Sequence, residues 1–343
     1  MSASIITNRH DILLLFDVAN GNPNGDPDLG NMPRLDPSSR GIVSDVCIKR
    51  KVRNYIERFG PPPADGREYR IFIRQGAILN DLIDEAAPEA SKTQKANENR
   101  DEWERAALDW LCNRYYDLRT FGAVLATGNK VFKGSAWGQV RGPAQFTFGQ
   151  SFHSITPQEI SITRCAATNA AEKKAVEEAE AEQPGSGRNR TMGNKHIVPY
   201  ALYAAKCYIS PAFAESTHFT EADLELLFEA LDHMFEHDHS SARGEMIVRG
   251  LYDFEHVGTQ HPNNAEQNKR EARLGCYHAH KLFEGIKVSL KEIKNPDGTM
   301  KTFPESFADY DSDKFCSWTE SNLPPGIKLN IRHEGRSIGP RRA

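Results

Sequence analysis

Apolar and polar positions along this chain repeat with the two periods of regular secondary structure, and together they predict six elements. Short apolar runs bounded by turn residues predict four strands, at about residues 12–18, 141–153, 196–209 and 249–257. Apolar residues at helical spacing predict two helices, over 44–59 and 221–237. The resulting β-α-β-β-α-β order is the ferredoxin-like order of α+β proteins, which RNA-recognition domains also use.

Two long stretches interrupt this predicted order, and a third follows it. The stretch at about 60–140 lies between the first helix and the second strand, and the stretch at about 166–195 lies between the second and third strands. Residues 296–343 are dominated by Pro, Gly and charged side chains, which is typical of a loosely ordered polar tail. We therefore expect one core domain over 1–295 that carries two insertions, followed by this tail.

Length and composition exclude several classes of protein. The chain has 343 residues, a formal net charge of −4 and 38% hydrophobic residues, which indicates a folded globular protein rather than a disordered or fibrous one. It has no apolar run near the roughly 20 residues of a membrane span and no secretory signal pattern, so we expect a cytoplasmic protein without a membrane partner. The six cysteines form no CxxC pair, which favours reduced thiols over a disulfide framework or a zinc ribbon.

Charge is unevenly distributed along the chain. Residues 40–58 contain six basic and two acidic residues, and residues 186–196 contain three basic residues and no acidic one. The acidic residues that balance this positive charge lie mainly in 81–104 and 172–182. A net-acidic protein of this kind can still present a basic stripe to nucleic acid, although solvated helix faces are the alternative explanation.

Eight short motifs, in six separate segments, resemble one family in the same order along the chain. They are GNPNGDPD at 21–28, GNMPR at 30–34, VSDVCIKRKVRNY at 43–55, DLRTFGAV at 117–124, GQVRGP at 138–143, SITR at 161–164, RTMGNKHIVPY at 190–200 and MFEHD at 234–238. The chain thereby resembles the crRNA-binding backbone subunit of the type I-C CRISPR Cascade complex, within the RAMP superfamily. The resemblance extends over about residues 9–290.

This resemblance implies both a fold and a function. It implies a modified RNA-recognition fold, called the palm, with inserted fingers at about 60–140 and a thumb at about 166–195. It also implies a non-catalytic role in antiviral defence, in which copies stack head to tail along the crRNA and present it to a target DNA strand. Other Cascade subunits would be partners, and a separately recruited helicase-nuclease would cut the target.

A subunit that holds any guide sequence should contact phosphates and 2′-hydroxyls and leave the base edges free. Basic residues on the first predicted helix, beside a loop rich in Gly and Asn, suit this task because glycines let backbone N–H groups approach an anion. In the second insertion, cations would contact phosphates and Met192 would wedge a base step. The candidate RNA-binding residues are Asn22, Asn24, Arg34, Lys49, Arg50, Arg53, Arg141, Arg188, Arg190, Met192, Lys195 and His196.

Each of these assignments has a structural alternative. The cations of the first helix could form a solvated face, and Arg141 could form a structural salt bridge. Met192 could fill a gap in the core, which is the commoner use of methionine.

A metal-dependent ribonuclease is the alternative function. Asp26, Asp28 and Asp36 have the chemistry to hold Mg²⁺, and type III relatives in the same superfamily cleave target RNA with an acidic loop residue. The same loop places Asn and Gly at EF-hand-like positions, but Asn31 stands where calcium binding needs Glu.

A histidine cluster suggests a second type of metal site. His233 and His237 are four residues apart on a predicted helix and His239 follows, yet the metalloprotease pattern HExxH is absent. A helix end with His near its negative terminus explains them better. We therefore expect no catalytic residue, no metal site and no cofactor.

Overall fold

The computed structural model of the chain describes residues 4–64, 66–93, 99–182, 192–260, 264–294 and 297–335. The strands within these residues are β1 (His10–Gly21), β2 (Gly25–Asp26), β3 (Met32–Pro33), β4 (Arg40–Val43), β5 (Gly122–Val124), β6 (Gln139–Arg141), β7 (Ala144–Phe146), β8 (Gly149–Ser154), β9 (Gln158–Thr163), β10 (Met192–Ile209), β11 (Glu245–His256) and β12 (Ile327–Glu334). The helices are α1 (Asp45–Phe59), α2 (Leu79–Asp84), α3 (Ala86–Thr93), α4 (Arg100–Arg114), α5 (Tyr116–Phe121), α6 (Ala170–Glu182), α7 (Pro211–Thr217), α8 (Glu221–His233), α9 (Ala265–Leu274) and α10 (Ala279–Glu284).

A large antiparallel sheet organises this mixed α/β fold. Its strand order is β12-β11-β1-β10-β8-β4, and β7 and β9 pair with β10 beside this path. β1 lies in the middle because its residues from His10 to Val18 are apolar or have polar partners, so both of its faces can be buried. Leu14 of β1 lies opposite Ala205 on one side and Leu251 on the other.

Helices α1 and α8 cover one face of this sheet. The stripe Ile48, Val52 and Ile56 of α1 packs into the same hydrophobic core as the inner face of α8. The start of α8 is fixed by a capping box, in which Thr220 and Asp223 each accept a hydrogen bond from the other's backbone N–H. The two predicted helices therefore lie on the same side of the sheet.

The opposite face of the sheet is covered by the chain after α9. Leu13, Leu15 and Phe254 of the sheet pack against a second apolar cluster that includes Tyr310 and Phe315. Residues 327–334 then add β12 to the edge of the sheet beside β11. The expectation of a loosely ordered tail from residue 296 is therefore wrong over 297–335. Its buried aromatic residues, such as Phe307, Tyr310 and Phe315, follow no helical or strand period, whereas Ile327, Leu329 and Ile331 alternate with polar residues as a strand does, a signal that the prediction overlooked.

Two predicted element boundaries also differ from the structure. The strand predicted over 141–153 is divided into the end of β6, β7 and β8. Pro143 lies at the first break, where it cannot donate a backbone hydrogen bond to a neighbouring strand. The helix predicted over 221–237 ends at His233 and continues as turns.

The first insertion has a hydrophobic core of its own. Helices α2 to α4 pack around buried residues that include Phe72, Trp103 and Phe132. Two ion pairs connect this unit to the helices that cover the sheet. Asp117 pairs with Arg53 of α1, and Arg119 pairs with Asp223 of the α8 capping box. The second insertion, at about 166–195, contains α6 and the first residues of β10, and its part over 183–191 lies outside the described residues. No helix in the described part of the chain has the length and apolarity required to cross a membrane.

Candidate nucleic-acid interface

A turn at residues 238–244 joins two of the candidate segments. The backbone N–H of Asn22, in the Gly- and Asn-rich loop, donates to the carbonyl of Ala242 at 2.7 Å. Lys195, near the start of β10, donates from Nζ to the carbonyl of Ser241 at 3.0 Å. The loop and the start of β10 are therefore neighbours, since both bind the same turn.

Charged side chains attach the same turn to helix α1. Asp238 forms ion pairs with Lys51 of α1 and with Arg243, whose Nε lies 2.9 Å from Asp238 Oδ2. Lys51 is buried, so its charge needs this partner. The sequence did not point to this cluster, because Lys51 and Asp238 are 187 positions apart and no local spacing relates them.

The loop that precedes α1 is packed against the first turn of that helix. Asn24 Oδ1 accepts hydrogen bonds from both the backbone N and the Oγ of Ser44, each at 2.9 Å. Ser44 is the N-cap residue of α1 and makes no cap bond with its own side chain, so Asn24 fixes the start of the helix from outside. Asn24 thus has a structural partner in the position where we expected an RNA contact.

Two other candidate residues of the loop also have internal partners. Asn22 is buried and donates from Nδ2 to the carbonyl of Asn31 at 2.6 Å. Arg34 donates from Nη1 to Asp26 Oδ2 at 2.9 Å. These contacts shape the loop, and the guanidinium of Arg34 remains partly exposed.

Arg53 differs from the expectation of a solvent-facing phosphate ligand. Its Nε donates to Asp117 Oδ2 at 2.7 Å, its side chain is buried, and its guanidinium carbon lies 5.3 Å from the centre of the Phe121 ring. A buried charge is stable only with such a partner, so Arg53 holds the first insertion against α1. This corrects its assignment as a free cation.

The other two candidates on α1 are more accessible than Arg53. Lys49 pairs with Asp45 at 3.0 Å, one helical turn away. Arg50 donates from Nη1 to the carbonyl of Ile73 at 3.4 Å. Among the described residues, no carboxylate forms an ion pair with Arg50 or with Lys195, so these two cations keep charge available for a phosphate.

β9 and the first residues of β10 form a two-stranded ribbon. Met192 lies opposite Thr163, and His196 lies opposite Glu159. The side chain of Met192 is 68% exposed, so it does not fill a core gap. His196 is half-buried at the base of the ribbon. Two of the predicted candidates, Arg188 and Arg190, lie outside the described residues.

Arg141 lies at the base of the first insertion. Its backbone pairs with Gly122 of β5, and its guanidinium carbon lies 5.1 Å from the centre of the Phe213 ring in α7. This contact is a cation–π interaction rather than the salt bridge that we considered. Arg141 therefore belongs to a different part of the molecule from the turn at 238–244.

The acidic residues of the loop have other partners. Asp36 accepts hydrogen bonds from the backbone N–H groups of Arg40 and Ser38 and from the side chain of Gln150, and these bonds hold the pKa of Asp36 below its usual value. Asp26 pairs with Arg34 and accepts a hydrogen bond from the backbone of Asp28. Nothing in these contacts favours the ribonuclease alternative.

The histidines have local hydrogen bonds as well. His233 Nδ1 lies 3.0 Å from the carbonyl of Glu229 in its own helix, and His239 Nδ1 lies 3.0 Å from the carbonyl of Gly244. Within the described parts of the chain, no group of three or more His, Cys, Asp or Glu side chains is arranged to hold a metal ion.

Comparisons with known proteins find CRISPR proteins. The family model described as CRISPR-associated protein Cas7 matches residues 8–314. The CRISPR-associated protein Cas7 of Haloferax volcanii is 24% identical over 240 residues, which is 64% of this chain. The match spans 62% of the length of that relative.

Chains in solved structures of CRISPR complexes also match this chain, at low sequence identity. A chain of a CRISPR RNA-guided surveillance complex in a pre-nicking form is 16% identical, with a TM-score of 0.42 over 72% of this chain and 78% of that one. A chain of another CRISPR RNA-guided surveillance complex is 14% identical, with a TM-score of 0.40 over 72% and 68%. A chain of the type III-B Cmr-beta complex bound to cognate target RNA is 11% identical, with a TM-score of 0.35 over 71% and 60%.

Proposed function

The chain belongs to the CRISPR-associated Cas7 family, and from this premise we propose that it is the non-catalytic, crRNA-binding backbone subunit of a CRISPR surveillance complex. The observation that carries the proposal is the turn at 238–244, where the Gly- and Asn-rich loop, helix α1 and the β9–β10 ribbon meet. Such a site is built from backbone, amide and cationic groups, which recognise phosphates and 2′-hydroxyls of any sequence.

The proposed RNA path follows the loop and the base of the ribbon. Arg50 and Lys195 contact phosphates, while Asn22, Asn24 and Arg34 hold the loop in shape and Lys49 adds positive charge. Met192 lies at the first residue of β10 and inserts between bases, which an exposed apolar side chain can do at the cost of base stacking. His196 extends the same surface, and we expect the cations of Arg188 and Arg190 to contribute to RNA binding as well.

We propose that the core is a modified RNA-recognition palm. The run β11-β1-β10 with β8 beyond it, and α1 and α8 on one face, supports this assignment. The other face is covered by the C-terminal segment, so RNA does not stack on sheet aromatics as it does in simple RNA-recognition domains. The first insertion corresponds to fingers, and the second corresponds to a thumb.

Assembly completes the proposed role. Copies contact head to tail along the crRNA, other Cascade subunits close the two ends, and the bases face outward to pair with a target DNA strand in the cytoplasm. A separately recruited helicase-nuclease cuts the DNA. The motifs of the loop and α1 support assignment to type I-C, and the work of the complex is antiviral defence.

The test is co-expression with the neighbouring genes and a repeat-spacer array, followed by extraction and sizing of the bound RNA. We expect one discrete RNA of repeat-plus-spacer length, protected from ribonuclease and unchanged in length by Mg²⁺. The Arg50→Ala/Lys195→Ala variant should bind more weakly and should show a salt slope that is shallower by about 0.7 for each lost phosphate contact.

Lys269→Ala is the matched control, because this residue is an exposed cation on α9. Equal RNA loss in the control and in the double variant would contradict the proposed path. Mg²⁺-dependent trimming that disappears in Asp26→Ala or Asp36→Ala would instead establish the ribonuclease.

A further inference from the structure

A tight turn near the start of the first insertion presents a cation that the proposed RNA path does not include. The turn covers residues 74–77, and the backbone N–H of Ala77 donates to the carbonyl of Arg74 at 3.3 Å. Its third residue, Gly76, has a φ of 76°, a conformation that favours glycine in a β-turn. Arg74 and Gln75 are exposed. The turn therefore presents the Arg74 guanidinium to solvent on a compact piece of backbone.

A buried carboxylate fixes this turn against α1. Asp117 accepts hydrogen bonds from the backbone N–H groups of Phe72 at 2.6 Å and of Ile73 at 3.1 Å. The same carboxylate accepts a hydrogen bond from Nε of Arg53, which belongs to α1. The fold therefore sets the position of the turn relative to the helix.

Arg50, also on α1, contacts the residue that precedes the turn. Its Nη1 donates to the carbonyl of Ile73 at 3.4 Å. Within the described residues, no carboxylate forms an ion pair with Arg50 or with Arg74. Two cations without counter-charges thus lie where the helix and the first insertion join, which leaves a local excess of positive charge.

Three carboxylates share a pocket of about 370 Å³ with Arg74. Two of them already have a cationic partner, because Arg114 lies 3.1 Å from Glu68 and 3.6 Å from Glu85. The third, Glu57, has no ion pair among the residues that the structure describes. Glu57 is therefore the internal alternative to an external ligand of Arg74, and an experiment must distinguish the two.

The groups at this junction suit a phosphate. A guanidinium donates paired hydrogen bonds to phosphate oxygens, and exposed backbone N–H groups of a turn add further donors. In the part of the chain that the structure describes, the N–H groups of Gln75 and Gly76 have no hydrogen-bond partner. Ile73 and Ile78, on either side of the turn, are exposed and can contact a ribose ring. Charge flanked by apolar side chains matches the phosphate and sugar of a nucleotide chain.

We propose that Arg50 and Arg74 hold one backbone phosphate of the crRNA between them, so that the RNA passes from α1 onto the first insertion. This inference rests on the proposed function, which supplies the RNA. The phosphate adds a connection between helix and insertion beside that of Asp117. Bound RNA therefore fixes the orientation of the first insertion more firmly.

Binding of the full-length protein to a labelled single-stranded RNA, measured over a range of salt concentrations, tests this contact. Arg74→Ala should weaken binding about tenfold, because a hydrogen bond to a charged group contributes about that factor. Arg74→Lys keeps the charge but loses the planar fork, so it should recover the salt dependence and only part of the affinity. Arg105→Ala is the matched control, since Arg105 is an exposed cation elsewhere in the same insertion, and it should bind as wild type does.

The Arg50→Ala/Arg74→Ala variant shows whether the two arginines share one phosphate. The slope of log affinity against log salt should become shallower by about 0.7 in total, whereas a change of about 1.4 would mean two separate phosphates and would refute sharing. Bound RNA should also slow amide hydrogen exchange over residues 70–78 in the wild type, and this effect should be smaller in Arg74→Ala.

Several outcomes would overturn the proposal. One is an equal loss of RNA affinity in Arg74→Ala and in Arg105→Ala. Another is unchanged RNA affinity in Arg74→Ala together with lower stability in urea, which would show that Arg74 pairs with Glu57 instead. Binding of inorganic phosphate that Arg74→Ala abolishes without any change in RNA affinity would identify a site for a small anion. A wild-type protein that binds no RNA would refute the proposed function itself, so the wild type distinguishes that failure from a failure of this inference alone.

Discussion

At the scale of single residues, Arg119 is a charged residue whose side chain is completely buried. Its Nε donates to Asp223 Oδ1 at 2.9 Å, and its Nη1 donates to the carbonyl of Glu68 at 2.8 Å. Asp223 is also the N3 residue of the capping box that begins α8. One guanidinium thus connects the first insertion to the start of a helix on the sheet.

Arg119→Met should lower the free energy of unfolding by about 2–3 kcal/mol, because it removes the buried guanidinium from Asp223 Oδ1 and from the carbonyl of Glu68, while Arg67 remains 2.9 Å from Asp223 Oδ2. Urea denaturation measures this loss. Arg105→Met is the matched control, since Arg105 is exposed on α4, and it should change stability by no more than about 0.5 kcal/mol. Similar losses in both variants would contradict a special role for the buried pair.

His10 gives the protein a pH-dependent interaction between β1 and β11. Burial alone would lower the pKa of His10, but the hydrogen bond to Asp253 at 2.8 Å and the charge of that carboxylate outweigh burial and raise it above the ordinary value. The folded state therefore holds this proton more tightly than the unfolded chain does. The resulting stability is fully present below the ordinary pKa of histidine and is lost as the pH rises through the raised value.

The His10→Asn variant lacks this titration. We expect the stability difference between wild type and His10→Asn to be larger at about pH 6 than at about pH 9, because only the wild type gains from the charged imidazole. Chemical denaturation of both proteins at the two pH values measures the difference. A difference that is constant, or that grows with pH, would show that His10 is not held in its charged form.

At the scale of elements, the C-terminal segment is a structural layer and not a tail. Phe315 is buried against the sheet, whereas Phe303, twelve residues earlier in the same segment, is 61% exposed. Phe315→Ala should therefore cost about 3–5 kcal/mol of stability, and Phe303→Ala should be close to neutral. The two thermal or denaturant midpoints measure this contrast. Equal behaviour of the two variants would mean that the segment does not pack on the sheet in solution.

Periodicity explains which elements could be predicted from the sequence. β1 is a short continuous apolar run, and α1 and α8 repeat apolar residues at helical spacing, so the sequence predicted these three elements to within a few residues. Phe307, Tyr310 and Phe315 lie in short turns with irregular spacing, so their burial depends on the sheet they meet and not on local pattern. The sequence alone therefore did not predict that the C-terminal segment covers the second face of the sheet.

The candidate site could likewise be predicted only where its residues are close together in the sequence. Residue chemistry indicated the loop, the basic helix and the second insertion, because each carries its Gly, Asn or basic residues within one short segment. It could not show that Arg53 pairs with Asp117, 64 positions away, or that Asn24 binds Ser44. Only the fold decides which cations are used internally and which remain available to a ligand.

At the scale of the whole molecule, the head-to-tail contact proposed above would join two different surfaces and would not close on itself. Such an array has no intrinsic length, so the bound RNA must set the number of copies. We expect the protein without RNA to be a monomer or a ragged mixture of small oligomers. With RNA of increasing length, the number of copies should rise in steps of constant nucleotide spacing.

Native mass spectrometry over a series of RNA lengths measures these steps. RNAs of equal length and unrelated sequence test whether the copy number depends on length and not on sequence. The Arg50→Ala/Lys195→Ala variant should need more protein to reach each step, because every copy loses phosphate contacts, whereas Lys269→Ala should behave as wild type. Electrostatic binding of this kind should weaken at every RNA length as salt increases. A closed ring formed without RNA would contradict an array whose length is set by the RNA. A copy number that stays fixed as the RNA lengthens would contradict it as well. Either result would mean that contacts between the copies, and not the RNA, fix their number.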